Sequence, residues 1–221
     1  MPSKKELREY GEKYGDISND LNERMLFLFK QLKISIKNID NIKKAIKRHK
    51  KAKWHEINLV IYFVPKATPR ARYSGFTKTF YVNDAKNNSD IMKKFVKENM
   101  SEFPIITTPC EFHCTTYSPT PVNAMTKEEI ILSELQYIGL LAKPDWDNLG
   151  KTYSDMIQEH LILDDSNITF ASVRKLYSIK PRVEVKIRFM DKYDCKYNMK
   201  KVKNRKQYKD RIDKIIDTDY I

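Results

Sequence analysis

Glycine is scarce, with five residues in 221, and neither a P-loop nor a dinucleotide-type glycine-rich phosphate cradle can be read anywhere in the chain. That argues against a nucleotide cofactor. No Gly-x-Ser-x-Gly elbow occurs, so the commonest serine-hydrolase device is missing as well. Three cysteines are too few, and odd in number, for a disulfide-stapled scaffold; they fit a reducing compartment. Long apolar runs are also absent. MLFLF and INLVIYFVP, the latter broken by Asn58, fall well short of the roughly 20 residues that a membrane-spanning helix needs. The N-terminus is charged, and no apolar signal region follows it. There is no internal repeat. The expectation is a cytoplasmic protein with no membrane partner.

What is present is positive charge, distributed unevenly. The 42 Lys and Arg against 29 Asp and Glu give a net charge of +13. Residues 1–53 carry 15 basic and 7 acidic side chains, residues 192–221 carry 10 and 5, and residues 54–191 balance at 17 of each. The whole excess therefore lies in two flanks, and basic flanks suit a polyanion. The boundaries suggest three parts: a basic helical N-terminal extension at 1–53, a central domain at 54–191 and a basic tail at 192–221. Hydrophobic content of 41% is enough for one buried core.

Periodicity gives the element plan. Residues 3–50 read as helical, from Leu21, Met25, Leu28 and Phe29 and then Ile39, Ile42 and Ile46, with Asp16 or Ser18 as a cap. The run Lys43, Lys44, Lys47, Arg48, Lys50, Lys51 and Lys53 is either a solvated face or a phosphate-binding one. A strand is expected at 55–63, then a basic, turn-rich segment containing Lys66, Arg70, Arg72 and Lys78. A helix follows at 89–100, with Ile91, Phe95 and Val96 inward, and a strand at 110–117. Thr126 and Glu129 form a capping box for a short helix. Leu149, Tyr153, Met156, Ile157 and His160 share one face of another helix. Strands at 168–178 and 182–190 complete the core, and a helix at 203–217 lies in the tail. The fold class is α+β, a small mixed β-sheet with packed helices.

Two candidates for chemistry carry little weight. Cys110 and Cys114 alternate with His113 along a strand, which separates thiols from imidazole and argues for buried cysteines over a zinc site. His49, His55 and His160 show no obvious acidic orienting partner nearby in sequence. The carboxylates differ. Pro144 biases Lys143 to an extended conformation, and continued extension would put Asp145 and Asp147 on one face, with Asn148 or Asp147 capping the next helix. Lys151 follows one turn in, and the adjacent Asp164 and Asp165 come later. So many acids around one helix fit a hard divalent cation held by oxygen ligands. On composition alone they fit ordinary caps and a turn better still.

The segment KPDWDNLGKTYSDMIQEHLILDDSNI resembles the signature of the RusA-like Holliday junction resolvases of bacteria and their phages. The matching elements are Lys143, Pro144, Asp145, Asp147, Asn148, Lys151, Asp155, Asp164, Asp165, Ser166 and Ile168. Upstream, INLVIYFVPKATPRARYSGFTKTFY is similar to that family's first strand and its basic Pro-Lys loop. The resemblance covers residues 54–190, while the two flanks have no counterpart in the minimal domain. Gln158-Glu159-His160 stands where the family has a smaller turn.

The resemblance implies a metal-dependent endonuclease with Asp145, Asp147 and Asp165 holding Mg²⁺ or Mn²⁺. Such a cation polarises the scissile phosphate and activates a water for in-line attack. Lys151 would neutralise transition-state charge or place the water. Asp155, by its spacing, would orient Lys151, with Asp164 and Asn148 supporting the ligands. Lys66, Arg70, Arg72, Lys78 and Lys143 would meet the DNA backbone, and Tyr73 and Phe80 would stack on exposed bases. The implied partner is branched DNA, bound by a homodimer. A DNA-binding protein with vestigial acids, or a nuclease for flaps or forks, would share the same charge pattern.

Overall fold

In the computed structural model, residues 21–67, 72–74, 79–81, 86–100, 103–158, 160–191 and 193 are described. The chain divides into two compact units, Met1–Ala52 and Lys53–Ile221. The expected caps Asp16 and Ser18 and the expected helix at 203–217 lie outside the described residues.

In the first unit, the part of the helical stretch expected over 3–50 that is described forms two helices. Helix α1 is Leu21–Gln31 and α2 is Ile36–Lys50. Ser35 stops the chain from running straight on, because its hydroxyl accepts the Asn38 amide as an N-cap. The last turn of α2 carries Lys47, Arg48, His49 and Lys50, matched to the negative helix end. No side chain of α2 is buried.

The second unit is built on a four-stranded mixed sheet in the order β1-β6-β4-β5. Its strands are β1 (Trp54–Ile61), β4 (Cys110–Pro119), β5 (Ile168–Ser178) and β6 (Arg182–Met190). β6 runs antiparallel to both β1 and β4, whereas β4 and β5 are parallel. A parallel pair needs a crossover, and this one contains α4 (Lys127–Glu134) and α5 (Trp146–Ile157). A short hairpin, β2 (Arg72–Ser74) with β3 (Thr79–Tyr81), and helix α3 (Lys86–Met100) lie between β1 and β4 in the chain.

Period-two alternation sends Ile57, Leu59, Ile61, Phe112, Cys114, Val183, Val185, Ile187 and Phe189 into one core. Met92 and Val96 of α3 and Leu149, Tyr153, Met156 and Ile157 of α5 cover it. Burial pushes the Cys110 and Cys114 thiols up to about 12. The other sheet face is charged: Arg188 donates to Glu111 at 2.7 Å, and Lys186 pairs with Glu56 at 3.0 Å.

Three expectations need correction. Ile91 is 40% exposed and Met92 is buried in its place, while Val96 is buried and Phe95 packs against the core as expected. β1 ends at Ile61 and not at 63. Helix α5 ends at Ile157, leaving His160 in the turn beyond it. The capping box matches the reading: Thr126 Oγ1 accepts the Glu129 amide at 3.2 Å, and Glu129 accepts the Thr126 amide at 2.8 Å.

Candidate metal and DNA site

Helix α5 is amphipathic by construction. Leu149, Thr152, Tyr153, Met156 and Ile157 are buried, so the residues at four-residue steps on the opposite side, Asp147, Lys151 and Asp155, form an exposed stripe. Gly150 lets the helix sit close on β5, since a Cβ there would lie 2.8 Å from Val173 Cγ2. The triplet Gly150-Lys151-Thr152 lies inside this helix, and Asp145 stands where a P-loop would need its upstream glycine.

The start of α5 differs from expectation. Asp145 is the N-cap, in place of Asn148 or Asp147, and Asp147 already belongs to the first helical turn. Extension after Pro144 therefore lasts one residue, and strand-like alternation does not relate the two acids. The Asp145 side chain makes no capping hydrogen bond. Its carboxylate is thus turned away from the task that an N-cap aspartate usually performs. Asp147 sits where the positive helix end favours an anion. Asn148 is half-buried, and Lys143 is exposed immediately before a cis Pro144.

The second acidic element is a 3₁₀ turn, Asp165–Asn167, between α5 and β5. Asp164 caps it, accepting the Ser166 amide at 3.1 Å. Asn167 Nδ2 donates to the Thr107 carbonyl at 2.8 Å, and the Leu163 amide donates to the Ile106 carbonyl at 3.0 Å. These bonds fix the turn that presents the exposed Asp165.

Electrostatics bring the two elements together. The Asp155 carboxyl is held above the ordinary aspartate value, first by partial desolvation; Lys151 opposes this, the negative charge of Asp165 adds to it, and Lys93 of α3 opposes it again. Asp155 thus senses both Lys151 and Asp165, although the expected Asp155–Lys151 partnership acts at longer range than a contact ion pair. Lys93 was missed by the sequence reading, because nothing local connects α3 to α5.

Among the described residues, no three acidic, imidazole or thiol side chains lie close enough together to hold one ion. The donor chemistry nevertheless fits a hard divalent cation. Asp145, Asp147 and Asp165 are exposed oxygen donors, Asp145 is unused as a cap, and Mg²⁺ or Mn²⁺ ordinarily completes its shell with waters and phosphate oxygens.

The basic residues divide. Lys66 is exposed, while its backbone is gripped by the Tyr153 hydroxyl, which accepts its amide at 3.2 Å and donates to its carbonyl at 3.3 Å. Arg72 and Tyr73 lie in β2, paired with Tyr81 and Phe80. Arg70 and Lys78 lie outside the described residues. A second residue missed by the sequence reading is Trp146, 66% exposed between the two acids. Its place between Asp145 and Asp147 was legible, and its exposure was not.

A family model described as "Endodeoxyribonuclease RusA" matches residues 63–188, more than half of the chain. The chain is also 31% identical over 136 residues to "Uncharacterized protein YqaN" of Bacillus subtilis strain 168, covering 60% of this chain and 95% of that one. The family match spans the α5 stripe and the 3₁₀ turn.

Proposed function

The chain belongs to the RusA endodeoxyribonuclease family, and from that premise we propose that it is a metal-dependent endonuclease resolving four-way DNA junctions by paired, symmetric nicks. The observation that carries this reading is the family match over residues 63–188, inside which the exposed Asp147, Lys151 and Asp155 of α5 and the exposed Asp165 of the 3₁₀ turn lie. Asp145, Asp147 and Asp165 would hold the Mg²⁺ or Mn²⁺. A cation bound there supplies Lewis acidity toward the scissile phosphate and a hydrolytic water.

The chain's own groups do the rest. Lys151, one turn past Asp147, offers a positive charge and three N–H donors to phosphate oxygens as negative charge builds on them. Lys93 adds a second positive charge from α3. Lys66 and Lys143 contact the sugar-phosphate backbone, together with Arg70, Arg72 and Lys78, which follow Lys66 in the sequence. Such contacts orient DNA without reading its sequence. The exposed Trp146 indole is a platform for a base unstacked at the branch point, a role that Tyr73 and Phe80 could share.

A four-way junction is close to two-fold symmetric, so a C₂ homodimer with one site per subunit would make the two matched nicks. The test uses purified protein on a synthetic four-way junction and on linear duplex of the same sequence. Symmetric nicking of the junction with Mg²⁺ or Mn²⁺, abolished by chelator, supports the reading. Equal cutting of duplex, or cutting in chelator, overturns it.

A further inference from the structure

Lys175, in the middle of β5, makes three hydrogen bonds to the segment that leads into Asp145. Its backbone carbonyl accepts the Leu140 amide at 3.1 Å, beside the Gly139–Leu176 bridge. Its Nζ donates to the Ala142 carbonyl at 2.8 Å and to the Pro144 carbonyl at 2.7 Å. The two side-chain bonds come from a charged donor and are short, the stronger class of hydrogen bond. They bracket Lys143 and end on the residue immediately before Asp145.

This matters because, among the described residues, no capping hydrogen bond holds the side chain of Asp145. It is an N-cap in extended conformation that does not bond back to its own helix, so its carboxylate goes where the backbone at 142–144 sends it. Lys175 is half-buried, and its ammonium is committed to carbonyl oxygens on the protein and not to solvent phosphate. It clamps the few residues that aim a proposed metal ligand.

We propose that Lys175 is a positioning residue: it fixes the approach to α5 so that Asp145 is preorganised for a divalent cation. The inference rests on the metal-site reading given above. Orienting partners outside the ligand set typically contribute about 10- to 100-fold in metal affinity.

The experiment is Mn²⁺ titration of DNA-free, full-length protein, followed by calorimetry or the loss of free Mn²⁺ paramagnetic signal. Wild type is compared with Lys175→Met, Lys175→Gln and Lys175→Arg, and with Asp147→Asn as the control for site loss. The urea midpoint is measured in parallel. The expected result is Mn²⁺ affinity about 10-fold or more weaker in Lys175→Met, intermediate in Lys175→Gln and largely restored in Lys175→Arg, at urea midpoints that do not account for the loss. Should Lys175→Met not fold, Lys175→Gln against Lys175→Arg carries the same comparison. Wild-type affinity in all folded variants, or losses that track the urea midpoint alone, overturns the Lys175 assignment while leaving the metal site standing. No Mn²⁺ binding by wild type overturns the metal reading and this inference with it.

Discussion

The Tyr153 hydroxyl holds both backbone groups of Lys66, accepting its amide at 3.2 Å and donating to its carbonyl at 3.3 Å. One buried side chain on α5 thereby ties down the start of the basic loop, while the opposite face of the same helix carries Asp147, Lys151 and Asp155. Tyr153→Phe removes the bonds without opening a large cavity. The expected cost is about 1–3 kcal/mol, because the part-buried Lys66 amide and carbonyl lose their partner. A urea midpoint lowered at unchanged m-value, together with weaker junction binding in chelator, would be the signature.

Trp146 should contribute to DNA binding and not to stability. It is 66% exposed, so Trp146→Ala is expected to leave the thermal midpoint nearly unchanged. Base–aromatic stacking is worth about 1–3 kcal/mol per base, so junction affinity measured in chelator should fall by roughly ten- to a hundredfold. Linear duplex, with its bases stacked, should be far less affected.

The capping box of α4 gives a pH prediction. The Glu129 carboxyl is held below its ordinary value, first by the Thr126 amide and then by the Thr126 hydroxyl. A depressed folded value means that the stabilisation is present above the unfolded glutamate value and is lost as pH falls through the lowered folded value. Glu129→Gln should therefore be destabilising at neutral pH and nearly silent in strong acid. Thr126→Ala should cost about 1 kcal/mol. Urea unfolding at a series of pH values reads both effects.

Thiol chemistry tests the core. With Cys110 and Cys114 buried and their thiols pushed up to about 12, neither carries thiolate near pH 8. Two of the three cysteines should resist a disulfide reagent in native protein and react on unfolding. Rapid modification of all three would contradict the packing of β4.

The basic face of α2 predicts salt dependence. If Lys43, Lys44 and Lys47 meet phosphates, replacing all three with Gln should lower the slope of log affinity against log salt by about 2–3, from about 0.9 per contact. An unchanged slope would mark them as a solvated helix face.

Much of the second unit was legible because its signals are local. The strands at 168–178 and 182–190 declare themselves by alternation, the Thr126–Glu129 box by a three-residue spacing, and the buried face of α5 by Leu149, Tyr153, Met156 and Ile157. The misses are of two kinds. Ile91 and Met92 are adjacent and both apolar, so a helical stripe is satisfied by either, and only packing against the sheet selects Met92. The extension at Asp145 stops after one residue, because Pro144 biases the residue before it and not those after. Lys93, Lys175, Asn167 and the Tyr153–Lys66 pair act across long sequence separations, where neither period nor spacing gives a cue. The acidic residues of the proposed site were recognisable as a motif, whereas the groups that orient them were not.

The most direct test of the central claim is single-turnover cleavage of a four-way junction by Asp147→Asn alongside wild type, with binding measured separately in chelator. The account predicts paired nicks by wild type in Mg²⁺ or Mn²⁺, loss of cleavage by at least a hundredfold in the variant, and unchanged junction affinity, since only a proposed metal ligand has been neutralised. Cleavage by Asp147→Asn at the wild-type rate would contradict it.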